Sequence, residues 1–150
     1  MAKIKSDISI MSERLQLSLL LSHVVSRQAV VLEAAFRTHH IPLTVEQFRL
    51  MYLVCHQPAA HQEFYARKLG RDRSSLTRML QQLEKAKMLV RAPSDHDRRS
   101  MHVEPSQEGA EWTQQAKLVA DEAMRQLWEG IAAEERELLN GLLVRLRGNS

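Results

Sequence analysis

Ten Lys and Arg residues (67, 68, 71, 73, 78, 85, 87, 91, 98 and 99) crowd positions 67–99, against four acids (72, 84, 95 and 97). The whole chain carries a net charge of only +3, so everything outside this stretch is net acidic. Ser74, Ser75 and Thr77 are interleaved with Arg71, Arg73 and Arg78. Cations and hydroxyl donors on a helix are the chemistry of a phosphate-binding surface; the competing reading is a solvated charged face. Other chemistries are poorly served. The seven histidines (23, 39, 40, 56, 61, 96 and 102) show no Cys-x-x-Cys partner and no His-Glu-x-x-His spacing. His39 and His40 with His61 or Glu46 form the one candidate metal site. Cys55 is the sole cysteine, placed mid-helix on an apolar side without a resolving partner. It reads as an inert buried thiol, or, in a second reading, as an oxidant sensor. No nucleophile elbow, phosphate loop or carboxylate pair is present, so no catalytic residue, enzyme activity or cofactor is expected.

The totals suit a single domain of 150 residues with a core of its own, since 44% of the chain is hydrophobic. Aromatic content of 5%, five glycines and four prolines favour helices over β architectures. A pI near 9.3 permits an anionic partner. One cysteine implies no disulfide framework and a reducing compartment. Lys3 and Lys5 precede no cleavable apolar run. The run Leu19-Leu20-Leu21 is cut by Ser22 and His23, which reads as too short to span a bilayer. A soluble cytoplasmic protein is expected.

The elements that must hold the basic residues follow from apolar spacing. A helix over about 12–38 carries Leu15, Leu19, Leu20, Val24, Val25, Val31, Leu32, Ala35 and Phe36, with Leu17, Leu21 and Val30 off the stripe. So long and wide an apolar face packs on a second subunit, or is wholly buried within one. Pro42 breaks it. Thr44 with Gln47 forms a capping box, and Leu43 with Phe48 a hydrophobic staple. The helix they open carries Phe48, Met51, Tyr52 and Cys55 inward and stops before Pro58. A short helix over 61–69 is ended by Gly70. Asp72 caps the next, which places Leu76, Met79, Leu80, Leu83 and Ala86 on one side. Two helices joined by a tight turn are a helix-turn-helix. Alternating residues at 88–91 and 100–104 flank a charged tip at 93–99, a hairpin. The combination is a winged helix, mainly α with a small β-hairpin. Ser106 caps a fifth helix to about 129. Glu134 and Glu135 open the last, striped by Leu138, Leu139, Leu142, Leu143 and Leu146.

These residues and their order resemble the MarR family of winged-helix transcription regulators. The resemblance rests on Leu43-Thr44-Val45-Glu46-Gln47-Phe48, Ala66 with Leu69-Gly70, Asp72-Arg73-Ser74-Ser75-Leu76-Thr77-Arg78 followed by Leu83-Glu84-Lys85, Asp97-Arg98-Arg99, and Glu134-Glu135-Arg136-Glu137-Leu138-Leu139. It covers nearly the whole chain as one domain, with dimerisation helices at about 12–38 and 106–147 and a DNA-binding lobe at about 44–104. It implies that Arg73, Ser74, Ser75, Thr77 and Arg78 lie nearest duplex DNA, with Arg78 placed for a bidentate guanine contact. Lys68, Arg71 and Lys85 would meet the backbone. Asp97 would orient one of Arg98 and Arg99 while the other enters the minor groove. A homodimer would read a pseudo-palindromic operator with recognition helices about 34 Å apart. His23, Arg27, Tyr52 and Trp112 would receive a small aromatic or phenolic effector that releases a repressor, or would merely pack that junction. The rival readings are an oxidant- or metal-responsive regulator and a winged helix used for protein contact. The chain departs from the family pattern at Lys87 (usually Gly), Pro105-Ser106 (usually Leu-Thr), Tyr65 (commonly Leu) and Ala132-Ala133 (usually a polar cap).

Overall fold

The computed structural model describes residues 12–58, 60–93 and 101–148. The elements follow in the expected order: α1 (Glu13–Thr38), α2 (Val45–His56), α3 (Gln62–Leu69), α4 (Arg73–Lys85), β1 (Leu89–Pro93), β2 (Met101–Pro105), α5 (Gln107–Leu127) and α6 (Ala133–Arg147). The strands pair antiparallel, from Leu89 opposite Pro105 to Pro93 opposite Met101. This is a mainly α winged helix with long helices at both ends.

Local chemistry sets the helix starts. The Gln47 N–H donates to Thr44 Oγ1 at 3.1 Å, and the Thr44 N–H donates to Gln47 Oε1 at 3.0 Å, completing the capping box. Ser12, Asp72 and Ser106 cap α1, α4 and α5 through side-chain oxygens. α6 begins without a capping side chain at Ala132, but Glu135 reaches back to accept from the Ala132 N–H at 2.8 Å.

Three helices end alike. α1, α3 and α4 finish on left-handed residues, His40 (φ 53°), Gly70 (φ 61°) and Lys87 (φ 60°). The following N–H then returns to an orphan carbonyl: Ile41 to Phe36, Arg71 to Ala66, Met88 to Leu83. Only Gly70 suits this conformation by type. Lys87 carries a Cβ where the family pattern has glycine. Lys87→Gly is expected to stabilise the fold by about 1 kcal/mol through relieved strain, roughly 2–4 °C in Tm. Thermal melts check this; a lower Tm would mean that the added freedom of the unfolded chain outweighs the relief.

The core forms where the elements meet. Leu50, Met51 and Val54 of α2, Leu76, Leu80 and Leu83 of α4, Leu89 and Val103 of the hairpin and Ala116 of α5 are buried. Leu32 and Phe36 bring the C-terminal half of α1 into it. The phase of α2 differs from the expectation. α2 packs against α1, α3, α5 and β2, so more than one of its faces is enclosed. Leu50 and Val54 join Met51 in the sealed positions, while Phe48, Tyr52 and Cys55 are half-buried. Tyr65 is fully enclosed, and its hydroxyl donates to the Gln57 carbonyl at 2.5 Å. The departure from leucine therefore brings a partner for its polar end and ties α3 to the end of α2.

α5 is clipped to the root of the hairpin. Ser106 Oγ donates to the Lys87 carbonyl at 2.7 Å and accepts from the Gly109 N–H at 2.9 Å. The Ser106 N–H donates to the Met88 carbonyl at 3.0 Å. Gly109 is buried directly against that carbonyl.

α1 is the largest correction to the sequence reading. Its apolar run is not too short: by length and composition alone the 26-residue helix could cross a bilayer, with an 18-residue window of mean hydropathy 1.4. Ser18, Ser22 and Ser26 interrupt the run less than their type suggests. Each hydroxyl donates to the carbonyl four residues back, at 3.0 Å. Leu15, Leu17, Leu19, Leu20, Val24 and Val25 are all exposed. So are Leu138, Leu142, Leu143 and Leu146 of α6. Leu17 and Leu21 share an apolar groove of about 500 Å³ with Leu139, Leu142, Leu143 and Leu146.

Candidate nucleic-acid interface

The basic segment divides between a turn and an amphipathic helix. Gly70 lets α3 stop abruptly, and Arg71 leads to Asp72. The Asp72 carboxylate accepts from the Ser75 N–H at 2.9 Å and from the Ser75 hydroxyl at 2.7 Å. The Ser75 hydroxyl, then its N–H, hold the Asp72 carboxyl below its ordinary value. The same contacts spend the Ser75 hydroxyl proton on the cap. Thr77 likewise commits its hydroxyl, donating to the Arg73 carbonyl at 2.8 Å. Leu76, Leu80 and Leu83 fix the inner face of α4 in the core, so Arg73, Ser74, Arg78, Gln81, Gln82 and Lys85 lie outward and exposed.

Arg73, Ser74, Thr77 and Arg78 line one concavity of about 420 Å³ on that outer face. A larger notch of about 720 Å³ adjoins it, lined by His61, Arg67, Arg71, Arg73 and His102, among others. The sequence reading had not singled out His61, Arg67 or His102 here. Arg67 is a basic residue in the last turn of α3, and its place in the cluster of cations could have drawn attention to it; His102 comes from β2 and gave no such signal.

The basic residues are not equally free. Arg71 is paired with Glu46, donating from Nη2 at 2.7 Å and from Nε at 3.2 Å. Arg91 is paired with Glu84 at 2.8 Å. Lys68 stands 5.7 Å over the Phe64 ring and lines a different cavity. Among the described residues, Arg67, Arg73, Arg78, Lys85 and Lys87 have no acidic partner. Asp97, Arg98 and Arg99, expected at the hairpin tip, lie outside the described residues.

A second cavity, of about 400 Å³, opens between α1, α2, α5 and the end of α3. Its lining includes Gln28, Phe48, Arg49, Tyr52, Lys117 and Met124. Of the four residues expected to receive an effector, only Tyr52 is found there. His23 and Arg27 are exposed on α1, and Trp112 packs against the core from α5. Gln28 is the α1 residue that reaches the cavity, because α1 meets α5 on the face of Gln28 and Leu32, one position round from Arg27. Arg49, Lys117 and Met124 line it too, and nothing in their spacing pointed to it.

No three His, Cys, Asp or Glu side chains are gathered as a metal site among the described residues. Glu46, one of the proposed ligands, is occupied by arginines. Burial pushes the half-buried Cys55 thiol up, partly offset by a hydrogen bond with the Thr113 side chain. That disfavours the thiolate an oxidant sensor needs.

Residues 43–101 match the family model described as "MarR family". The chain is 29% identical over 107 residues to the uncharacterised HTH-type transcriptional regulator YdgJ of Bacillus subtilis (strain 168), covering 71% of this chain and 65% of that protein. It is 30% identical over 78 residues to the transcriptional repressor MprA of Escherichia coli (strain K12), covering 52% of this chain and 44% of that one. The aligned segments thus span less than two thirds of either relative. Among solved structures, CouR of Rhodococcus jostii RHA1 bound to p-coumaroyl-CoA superposes with a TM-score of 0.81 at 24% identity, over 89% of this chain and 93% of that chain. The transcriptional repressor CouR bound to a 23-mer DNA duplex gives 0.76 at 26% identity, over 87% and 91%. With its helix-turn-helix, hairpin and flanking long helices in this order, the chain has the fold of these regulators, and its residues 43–101 resemble the MarR family of winged-helix transcription regulators.

Proposed function

We propose that this protein is a homodimeric transcription regulator of the cytoplasm that binds duplex DNA sequence-specifically and represses, and that a small aromatic or phenolic acid releases it. The observation that carries the reading is the outer face of α4. Arg73 and Arg78 stand there exposed and without acidic partners among the described residues, beside Ser74, on a helix whose other face is locked in the core. Such a helix fits the major groove with its N-terminal turn foremost. Arg78 is the residue for bidentate guanine contact, and Arg73, Ser74 and Lys85 serve the phosphates with Arg67 and Arg71 in the adjoining notch. Ser75 and Thr77 shape this surface more than they donate to it. Asp97, Arg98 and Arg99 complete the reading at the hairpin tip. MprA and CouR, both repressors by name, support the direction of regulation, and relatives that are regulators support a binding protein over an enzyme.

The exposed leucines of α1 and α6 form the dimer surface, which brings two recognition helices to adjacent major grooves about 34 Å apart. The cavity lined by Phe48, Arg49, Tyr52 and Lys117 suits an aromatic acid: aromatic walls with cations at the rim. CouR, whose ligand is an aromatic acyl thioester, supports that class.

Selection of bound sequences from a random duplex pool tests the reading, and a pseudo-palindrome is the expected enrichment. Arg78→Ala should then weaken binding to the selected duplex by roughly 5- to 150-fold per half-site, the worth of one bidentate base contact, and relax the preference at one position of each half-site. An unenriched pool, or an Arg78→Ala variant that binds as well as the parent, would refute it and favour a protein-contact role for the winged helix.

A further inference from the structure

Glu46 holds two arginines with two different oxygens. Oε1 accepts from Arg49 Nη1 at 2.7 Å, and Oε2 accepts from Arg71 Nη2 at 2.7 Å. The two arginines belong to different cavities. Arg49 lines the 400 Å³ cavity between α1, α2 and α5. Arg71 lines the 720 Å³ notch with Arg67 and Arg73, and it immediately precedes Asp72, the cap of α4. One carboxylate therefore sits between the interior cavity and the basic face. It links residues 25 apart in sequence.

We infer that Glu46 is a positioning residue that sets DNA affinity by dividing its charge between Arg49 and Arg71. An anion captured at Arg49 lowers that affinity by leaving the whole carboxylate to Arg71. The inference rests on the DNA-binding reading above. Its physics is simple. While Arg49 competes, the triad carries one net positive charge, and Arg71 retains part of its capacity for a phosphate. Once Arg49 is neutralised from the cavity side, Glu46 and Arg71 close into a neutral pair, and a phosphate must break that pair to engage Arg71. All three side chains are about a third to a half exposed (36%, 34% and 45% for Arg49, Glu46 and Arg71), so solvent screens the exchange and its size is modest. The other cations of the cavity are held elsewhere, Lys117 by Asp121 at 3.0 Å and Lys68 over Phe64. Arg49 is thus the member of the cavity whose partner leads to the DNA face.

The test needs no ligand, because Arg49→Met imitates neutralisation of Arg49. Affinity for a selected duplex is measured over a range of salt for the full-length protein and for Glu46→Gln, Arg49→Met, Arg71→Met and their pairwise combinations, with melts to confirm folding. Glu46→Gln should tighten binding roughly two- to fivefold per subunit and steepen the salt dependence of the dimer by about two units, one more phosphate being engaged at each half-site. Arg49→Met should weaken binding by a similar factor and lose its effect when Glu46 is already Gln. In the Arg71→Met background, Glu46→Gln should change nothing. An effect of Glu46→Gln that persists without Arg71 would overturn the inference, since it would report only the loss of an acid near DNA. So would an Arg49→Met variant that binds as the parent does. Failure of the DNA-binding reading is distinct: the parent would then bind no selected duplex, or would bind without regard to Arg78.

Discussion

Gly109→Ala is expected to be among the most damaging single methyl additions in this chain. A Cβ at this position would lie 2.0 Å from the Met88 carbonyl oxygen, 2.8 Å from its carbon and 3.0 Å from Met51 Cε. The methionine tip can turn aside, but the carbonyl cannot. It is held at the root of the hairpin, where it accepts from the Ser106 N–H. Relief requires the first turn of α5 to lift off the Leu83–Leu89 connection. That sacrifices the Ser106 contacts and loosens Val103 and Ala116, both buried nearby in the core. Overpacking of this kind costs about 1–3 kcal/mol before the lost hydrogen bonds are counted. A Tm lower by roughly 10 °C is expected at the 2–4 °C per kcal/mol of a chain this size. Calorimetry or far-UV melts decide it. A Tm within a degree or two of the parent would mean that α5 and the hairpin do not meet this closely.

Leu142→Asp is the second large effect, expected on assembly rather than on folding. Leu142 is 43% exposed in the single chain and lines the groove shared by α1 and α6. It contributes nothing to the buried core, so the fold should survive the change. In a dimer that covers this groove, the aspartate would be a buried charge without a partner, a penalty that dissociates most interfaces of ordinary size. The expected result is a monomer by sedimentation, with an unchanged helical spectrum. DNA affinity should fall by about 10²–10⁴, because two half-sites would no longer be bound as one ligand. A variant that sediments as a dimer and binds its operator normally would remove α6 from the assembly surface.

How much of this was legible in the sequence depends on whether the cause is local. Thr44 with Gln47, Asp72 and Ser106 announce their helices because each cap is settled within four residues of chain. The outward face of α4 was legible for the same reason: once Leu76, Leu80 and Leu83 point inward, helical geometry places Arg73, Ser74 and Arg78 outside. The left-handed conformations of His40 and Lys87 were hidden because neither residue type favours them. Core packing and the returning N–H of Ile41 and Met88 impose them. The inward face of α2 was misjudged because the sequence cannot say that four elements enclose it. The lining of the cavity was hidden for a related reason. The rotation of α1 about its axis decides between Arg27 and Gln28, and α5 sets that rotation from nearly a hundred residues away. The link from Glu46 to Arg71 is likewise tertiary, and the sequence showed only a first-turn acid and a turn arginine.

The Ser106 clip has a mechanical meaning. It fastens the hairpin root to the first turn of α5, so strand and helix turn as one arm. At 1.5 Å per residue the 21 residues of α5 make that arm about 30 Å long. Its far end leads into α6, and its middle, at Lys117, Ala120 and Asp121, borders the cavity. A tilt of only about 3° about the far end would carry the hairpin root sideways by roughly 1.6 Å over an arm of that length. That is half the length of a hydrogen bond. Rearrangements too small to disturb the packing around the cavity are thereby magnified at the hairpin root and the basic face beside it.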